Sequence, residues 1–163
     1  MKEEMQVSVS IETEKELKIK LDEIIDFIKG SDRHYVCTNE HHKIKDSFID
    51  KEKLKNANIY CIYSSLDKIK WDLKYIGTRK RGNLKTRLSN HLLGKSIATG
   101  TKSKFHFIEE ELKKKKHISI KVISIKEDSL RMFFEEKLIE YFLNLNNKKL
   151  WNNKKDRAFT KNK

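Results

Sequence analysis

Two tyrosines, one arginine and one histidine carry the groups in this chain best suited to acid–base and phosphate chemistry. Tyr60 closes the run Asn58-Ile59-Tyr60, and Tyr75 opens the run Tyr75-Ile76-Gly77. Ile59, Cys61, Ile62 and Tyr63 have strand character, as do Leu73, Tyr75 and Ile76. A polar stretch separates the two runs, so the pattern predicts a β-hairpin that brings the two phenols side by side. Gly77 suits the end of the second strand, because glycine permits a tight turn and close backbone approach. Leu84, Leu88 and Leu92 then recur at every fourth residue, which is helical spacing. Arg87 and His91 are also one turn apart and share a face beside that leucine stripe. A guanidinium offers planar donors that match phosphate oxygens. The constellation is one that could bind a phosphate and move a proton next to it.

The charge points to the same class of ligand. The 163 residues include 37 Lys and Arg against 24 Asp and Glu, for a net charge of +13. Such an excess favours a polyanion, with nucleic acid ahead of an anionic membrane surface. No basic amphipathic helix with a broad apolar face argues for a membrane. No apolar run approaches spanning length, and Lys2, Glu3 and Glu4 do not open a signal peptide, so a cytoplasmic protein is expected. Cys37 and Cys61 are too few for a disulfide framework, and Cys61 reads as a small buried hydrophobe.

The stretch from Asn58 to Leu92 resembles the GIY-YIG nuclease family. Members pair a strand bearing Gly-Ile-Tyr with one bearing Tyr-Ile-Gly. A helix follows, with an arginine and often a histidine four residues later. Here Asn58 stands in place of the first glycine, the loop between the tyrosines is longer than usual, and Arg81-Gly82 looks like a small insertion. The family places a glutamate three residues before an aliphatic residue in its last helix. Glu136, with Ile139, fits, and its neighbour Glu135, with Leu138, is the rival. Some restriction-type members end on an asparagine after an apolar-aromatic pair. Leu150-Trp151-Asn152 is similar, with Lys149 where a proline often stands. The run Gly100-Thr101-Lys102-Ser103-Lys104 also resembles one in compact restriction and phage members.

The resemblance implies a Mg²⁺- (or Mn²⁺-) dependent endonuclease acting on double-stranded DNA, with a type II restriction enzyme first. A phage or mobile-element DNA-degrading nuclease is the alternative, as is a binding module without catalysis. Tyr60 would act as general base or orient the water, although a free phenol near pKa 10 is a poor base. Arg87 would stabilise phosphoryl charge, Tyr75 and His91 would orient water or leaving group, and Asn152 would hold Tyr60 or the phosphate. Glu136 would anchor the metal, since one carboxylate suffices when phosphate completes a hard-oxygen shell. Arg79, Lys80, Arg81, Lys85, Lys102 and Lys104 flank this face as candidate DNA contacts. One such set cuts one strand, so a homodimer, at least on DNA, is expected for a double-strand break.

The rest of the chain must carry these groups. The expected fold class is α/β: a small, mainly antiparallel three-stranded sheet flanked by helices. Strands are expected near 58–64, 72–77 and 117–125, and helices near 13–29, 83–94, 102–116 and 127–145. Val7, Val9 and Ile11 alternate as in a short outlying strand. Thr13 with Glu16 fits a helix start and Gly30 a helix stop. Residues 31–50 lack periodicity and read as a solvated loop. Cys37, His41 and His42 lie there, but no fourth ligand has zinc spacing. The expected division is 1–57 as a helical extension packed on the core, 58–152 as the catalytic core and 153–163 as a basic tail.

Overall fold

The computed structural model describes residues 4–8, 14–45, 47–94, 104–145 and 149–152. The chain runs β1 (Met5–Val7), α1 (Glu14–Lys29), β2 (Tyr35–Val36), α2 (Lys51–Leu54), β3 (Ile59–Ser65), β4 (Asp72–Thr78), α3 (Leu84–Leu93), α4 (Phe105–Lys113), β5 (His117–Ile125) and α5 (Arg131–Leu145). The α/β class and the three central strands match the expectation from the residues. The sheet is larger and mixed, however: five strands in the order β1-β5-β3-β4, with β2 also on β5. β3 pairs antiparallel with both β4 and β5, whereas β1 runs parallel to β5. The three-stranded, mainly antiparallel expectation is therefore corrected. β1 and β2 are only three and two residues long, too short to show a period-two pattern.

Alternation along the strands splits the interior into two layers. Ile59, Cys61 and Tyr63 of β3, with Ile123 and Ile125 of β5, pack on Ile24, Ile25 and Ile28 of α1 and Phe134, Leu138 and Phe142 of α5. Tyr60 and Ile62, with Ile118, Ile120 and Val122, face Leu84, Leu88 and Leu92 of α3 and Ile108 of α4. The segment read as a solvated loop also contributes to this second layer. Cys37, Phe48 and Ile49 are buried in it, and Thr38 bridges to Ile44. Thr13, Val9, Ile11, the Gly94–Thr101 link beyond Gly94, and the tail from residue 153 lie outside the described residues.

Two asparagine side chains complete the sheet. Asn58 Nδ2 donates to the Ile125 carbonyl at 2.9 Å, and Asn58 Oδ1 accepts from the Ile125 N–H at 2.8 Å. Its own carbonyl accepts from Thr78 Oγ1 and from the Arg79 N–H. At the position where the resembling family has glycine, this chain uses a side-chain amide to lock β3 onto β5. Asn152 makes the same two-bond pairing with Ile76 of β4, at 2.9 and 2.7 Å. The adjacent Trp151 N–H donates to the Lys74 carbonyl at 2.7 Å.

Candidate active site

The register of the hairpin decides where Tyr75 points. Tyr60 lies opposite Gly77, and Ile62 opposite Tyr75, but Tyr63 lies opposite Leu73. Lys74 is thus an extra residue, a bulge that breaks the strict alternation of β4. Without it Leu73 and Tyr75 would share a face. With it, Leu73 joins the α1/α5 layer and Tyr75 joins Tyr60 in the α3/α4 layer. The Tyr60 and Tyr75 ring centroids are 6.0 Å apart. Gly77 allows the Tyr60 ring to lie against its backbone. A Cβ built on Gly77 would stand 2.4 Å from Tyr60 Cζ and Oη.

α3 supplies the other two groups from one face. His91 Nε2 is 2.8 Å from Tyr60 Oη, and its ring centroid is 5.2 Å from that of Tyr75. The Arg87 guanidinium is close enough for its charge to act on both hydroxyls. Burial, and secondarily Tyr75, pushes the Tyr60 hydroxyl well above the ordinary phenol value, and Arg87 opposes this. Burial also raises Tyr75, with Arg87 lowering it and Glu135 raising it. Burial, assisted by the charges of Arg87 and Lys104, holds His91 down to about 3, so the imidazole is neutral at pH 7.

A backbone amide fixes the direction of this network. The Lys104 N–H donates to His91 Nδ1 at 2.9 Å. An amide N–H can only donate, so the neutral imidazole carries its proton on Nε2 and donates it to Tyr60 Oη. Tyr75 lies next to this chain, its ring centroid 6.0 Å from that of Tyr60. The bonded chain runs from the Lys104 N–H through His91 to Tyr60 Oη, with Tyr75 and the Arg87 charge beside it. Tyr60 and His91 are fully buried, whereas Tyr75 and Arg87 are half-buried and reach solvent. Of the two phenols, Tyr75 is the one that reaches solvent, whereas the pattern of residues put Tyr60 in the leading role.

The remaining candidates divide. Lys104 belongs to the group, its ammonium 5.7 Å from the Tyr75 ring centroid and 5.8 Å from that of Phe107. Phe107 stacks on Trp151 at 5.2 Å. Asn152 touches neither Tyr60 nor the open side of the cluster; it is bonded to Ile76 and fixes the strand that bears Tyr75. Arg79, Lys80 and Lys85 are exposed. Arg81 is turned to the backbone, donating to the Ile125 and Lys126 carbonyls, both at 2.8 Å. Lys102 lies outside the described residues.

The two candidate carboxylates are separated by the helix itself. Glu135 is half-buried, in line with Arg131, Leu138 and Phe142 at helical spacing, and its charge reaches Tyr75. Glu136 is exposed, about 100° further round α5. A hard divalent ion needs carboxylate oxygen and completes its shell with water and phosphate. Glu135 fits that donor role beside Tyr75, and Glu136 does not face the cluster. The i, i+3, i+4, i+7 stripe was readable from the sequence and would have selected Glu135. Among the described residues no group of three or more His, Cys, Asp and Glu side chains gathers at one point. No family model, no characterised protein and no solved structure matches the chain. Among the described residues no helix is long and apolar enough to cross a membrane.

Burial of His91 gives a pH signature. The unfolded chain takes a proton on this histidine near pH 6.5, but the folded chain resists until about pH 3. His34, stacked on Trp71 and bonded to Ser119, is held down to about 4 by burial and Lys121. The unfolded state therefore binds more protons in the window from about 6.5 down to 4, and stability must fall with pH there. Between pH 7 and 4.5 the His91 contribution is about 2–3 kcal/mol, at about 1.4 kcal/mol per unit. Urea unfolding at the two pH values measures it. A His91→Gln protein with the same acid loss would assign the effect elsewhere.

Proposed function

We propose that this chain is a divalent-metal-dependent endonuclease of the GIY-YIG type, hydrolysing phosphodiester bonds in duplex DNA. The observation that carries the reading is the cluster in which the Lys104 amide orders His91, His91 donates to Tyr60, and Tyr75 and Arg87 stand beside them on the solvent side. Hydrolysis requires a water to lose a proton as it attacks phosphorus, and the bond from phosphorus to the 3′ oxygen to break. Tyr75 would accept that proton only as the phenolate. Burial, with Glu135, favours its neutral phenol, and Arg87 favours the phenolate. Neutralising the Glu135 charge would shift the balance toward phenolate. Arg87, a fixed cation with planar donors, stabilises the charge that grows on the phosphoryl oxygens. Lys104 adds a second positive charge on the Tyr75 side. Mg²⁺ or Mn²⁺ held at Glu135 would supply charge neutralisation and acidify bound water. His91 and Tyr60 are positioning residues, since both are buried.

A restriction-type enzyme cutting at a short site is the form of the reading we favour, with a homodimer on DNA because one such centre serves one strand. The test is supercoiled plasmid with Mg²⁺ or Mn²⁺, followed by sequencing of the ends. Nicked circles should precede linear product. Duplex affinity should fall with salt at a log–log slope of about −0.9 per neutralised phosphate. Salt-dependent binding with no cleavage under either ion would reduce the chain to a binding module.

A further inference from the structure

The most exposed large hydrophobic side chains in the structure are not scattered. Ile69 is 77% and Leu66 67% exposed, and both sit on the loop between β3 and β4. This loop does not belong to the catalytic cluster. It lies at the opposite end of the hairpin, about 20 Å from Tyr60 at about 3.3 Å per residue. Lys68 and Lys70 alternate with the two aliphatics, giving the sequence Leu66-Asp67-Lys68-Ile69-Lys70.

The loop is built to hold one shape. Ser65 Oγ donates to Asp67 Oδ1 at 3.1 Å and accepts from the Lys68 N–H at 2.9 Å. Asp67 Oδ1 also accepts from the Ile69 and Lys70 N–H groups, at 2.8 and 3.0 Å. Lys68 takes a left-handed backbone, with φ of 62°. Oδ1 of Asp67 is thus engaged in the turn, while its negative charge stays on the surface beside Lys68. The outward surface is two aliphatic side chains and two ammonium groups, with His117 close enough to feel the Lys68 charge. Leaving Leu66 and Ile69 in water on a preorganised turn is unfavourable for a free surface and favourable for one that docks.

We infer that the β3–β4 hairpin tip is a groove-reading element, placing Leu66 and Ile69 against base edges in the major groove of duplex DNA while Lys68 and Lys70 meet the flanking phosphates. The inference rests on the reading of the chain as one that acts on duplex DNA. Charge selects the occupant: Lys68 and Lys70 offset Asp67 and Asp72 at the tip, and the net charge of +13 on the chain as a whole suits a polyanion with apolar features. β5 pairs with β3 as far as Ser65, so it is the turn beyond Ser65 that is presented to the roughly 12 Å major groove. There the apolar feature is the thymine methyl group. At 3.4 Å per base pair the tip would sit about six pairs from the scissile phosphate.

The experiment compares the parent chain with Leu66→Ser/Ile69→Ser and with Lys68→Gln/Lys70→Gln. Both pairs are on the exposed loop, and thermal unfolding confirms that the fold is kept. Anisotropy is read on one duplex made with thymine and again with uracil. The parent should prefer the thymine duplex. Leu66→Ser/Ile69→Ser should lose that preference and about tenfold in affinity, with the salt slope unchanged. Lys68→Gln/Lys70→Gln should keep the preference and lower the slope. Unchanged affinity and unchanged cut sites in Leu66→Ser/Ile69→Ser would overturn the inference. So would a variant that loses only self-association, which would assign the tip to a second copy. Tip-dependent duplex binding without any cleavage would uphold the hairpin and remove the nuclease reading. Cleavage with identical ends in parent and variant would do the reverse.

Discussion

Replacing Glu135 by glutamine should lower metal-dependent DNA cleavage by about 10²–10³-fold, the cost of removing one electrostatic anchor from a buried reaction centre. Glu136→Gln should leave it near the parent rate. The two residues are neighbours, so composition, helix propensity and net charge change identically. Only the direction of the side chain differs. Glu135 lies on the stripe that carries Leu138 and Phe142 and influences Tyr75, while Glu136 is exposed. Duplex binding should survive in both variants, since each loses a negative charge. A second readout does not depend on activity. Glu135 raises the Tyr75 hydroxyl, so Glu135→Gln should lower the Tyr75 titration, read as the ultraviolet difference between each protein and its Tyr75→Phe counterpart. Full cleavage by Glu135→Gln with loss in Glu136→Gln would show the opposite assignment.

Gly77→Ala is expected to damage both stability and the site. The added methyl would fall 2.4 Å from Tyr60 Cζ and Oη and 2.9 Å from Cε1, distances that no real contact sustains. The ring has no inexpensive retreat, because it is fully buried and its hydroxyl is tied to His91. Overpacking of this kind costs about 1–3 kcal/mol, or a fall in Tm of about 2–10 °C at this chain length. The Tyr60–His91 bond should lengthen or break, removing the donor that holds the Tyr60 hydroxyl. Calorimetry and the His91 Nε2–H resonance together measure the two effects. A Gly77→Ala protein with parental Tm and an unmoved resonance would contradict this packing.

Much of the frame was legible because it is periodic. The leucines of α3, the alternating isoleucines of β5 and the apolar face of α1 each repeat over several residues, and the structure has these elements close to the expected bounds. What escaped is local and singular. The Lys74 bulge shifts alternation by one residue and puts Leu73 on the face opposite Tyr75, yet lysine is no signal of a bulge. Asn58 looked like a departure from a glycine motif, and its two bonds to Ile125 depend on a strand about sixty-seven residues away. The Lys104 amide orders the imidazole through its backbone, so its side chain gave no indication of that role. The position of Glu135 on the helical stripe through Leu138 and Phe142 was legible in principle.

The pairing of Asn152 and Trp151 with β4 has a consequence for how copies of this protein behave in a crowded solution. β4 is the outermost strand on its side, and its free backbone groups would invite another chain to add a strand. Two residues of the C-terminal segment occupy those groups at Lys74 and Ile76, next to the bulge. They act as a plug against edge-to-edge aggregation without themselves forming a strand that could be extended. The same contacts steady Tyr75, so the feature that keeps the molecules apart also keeps the site in register.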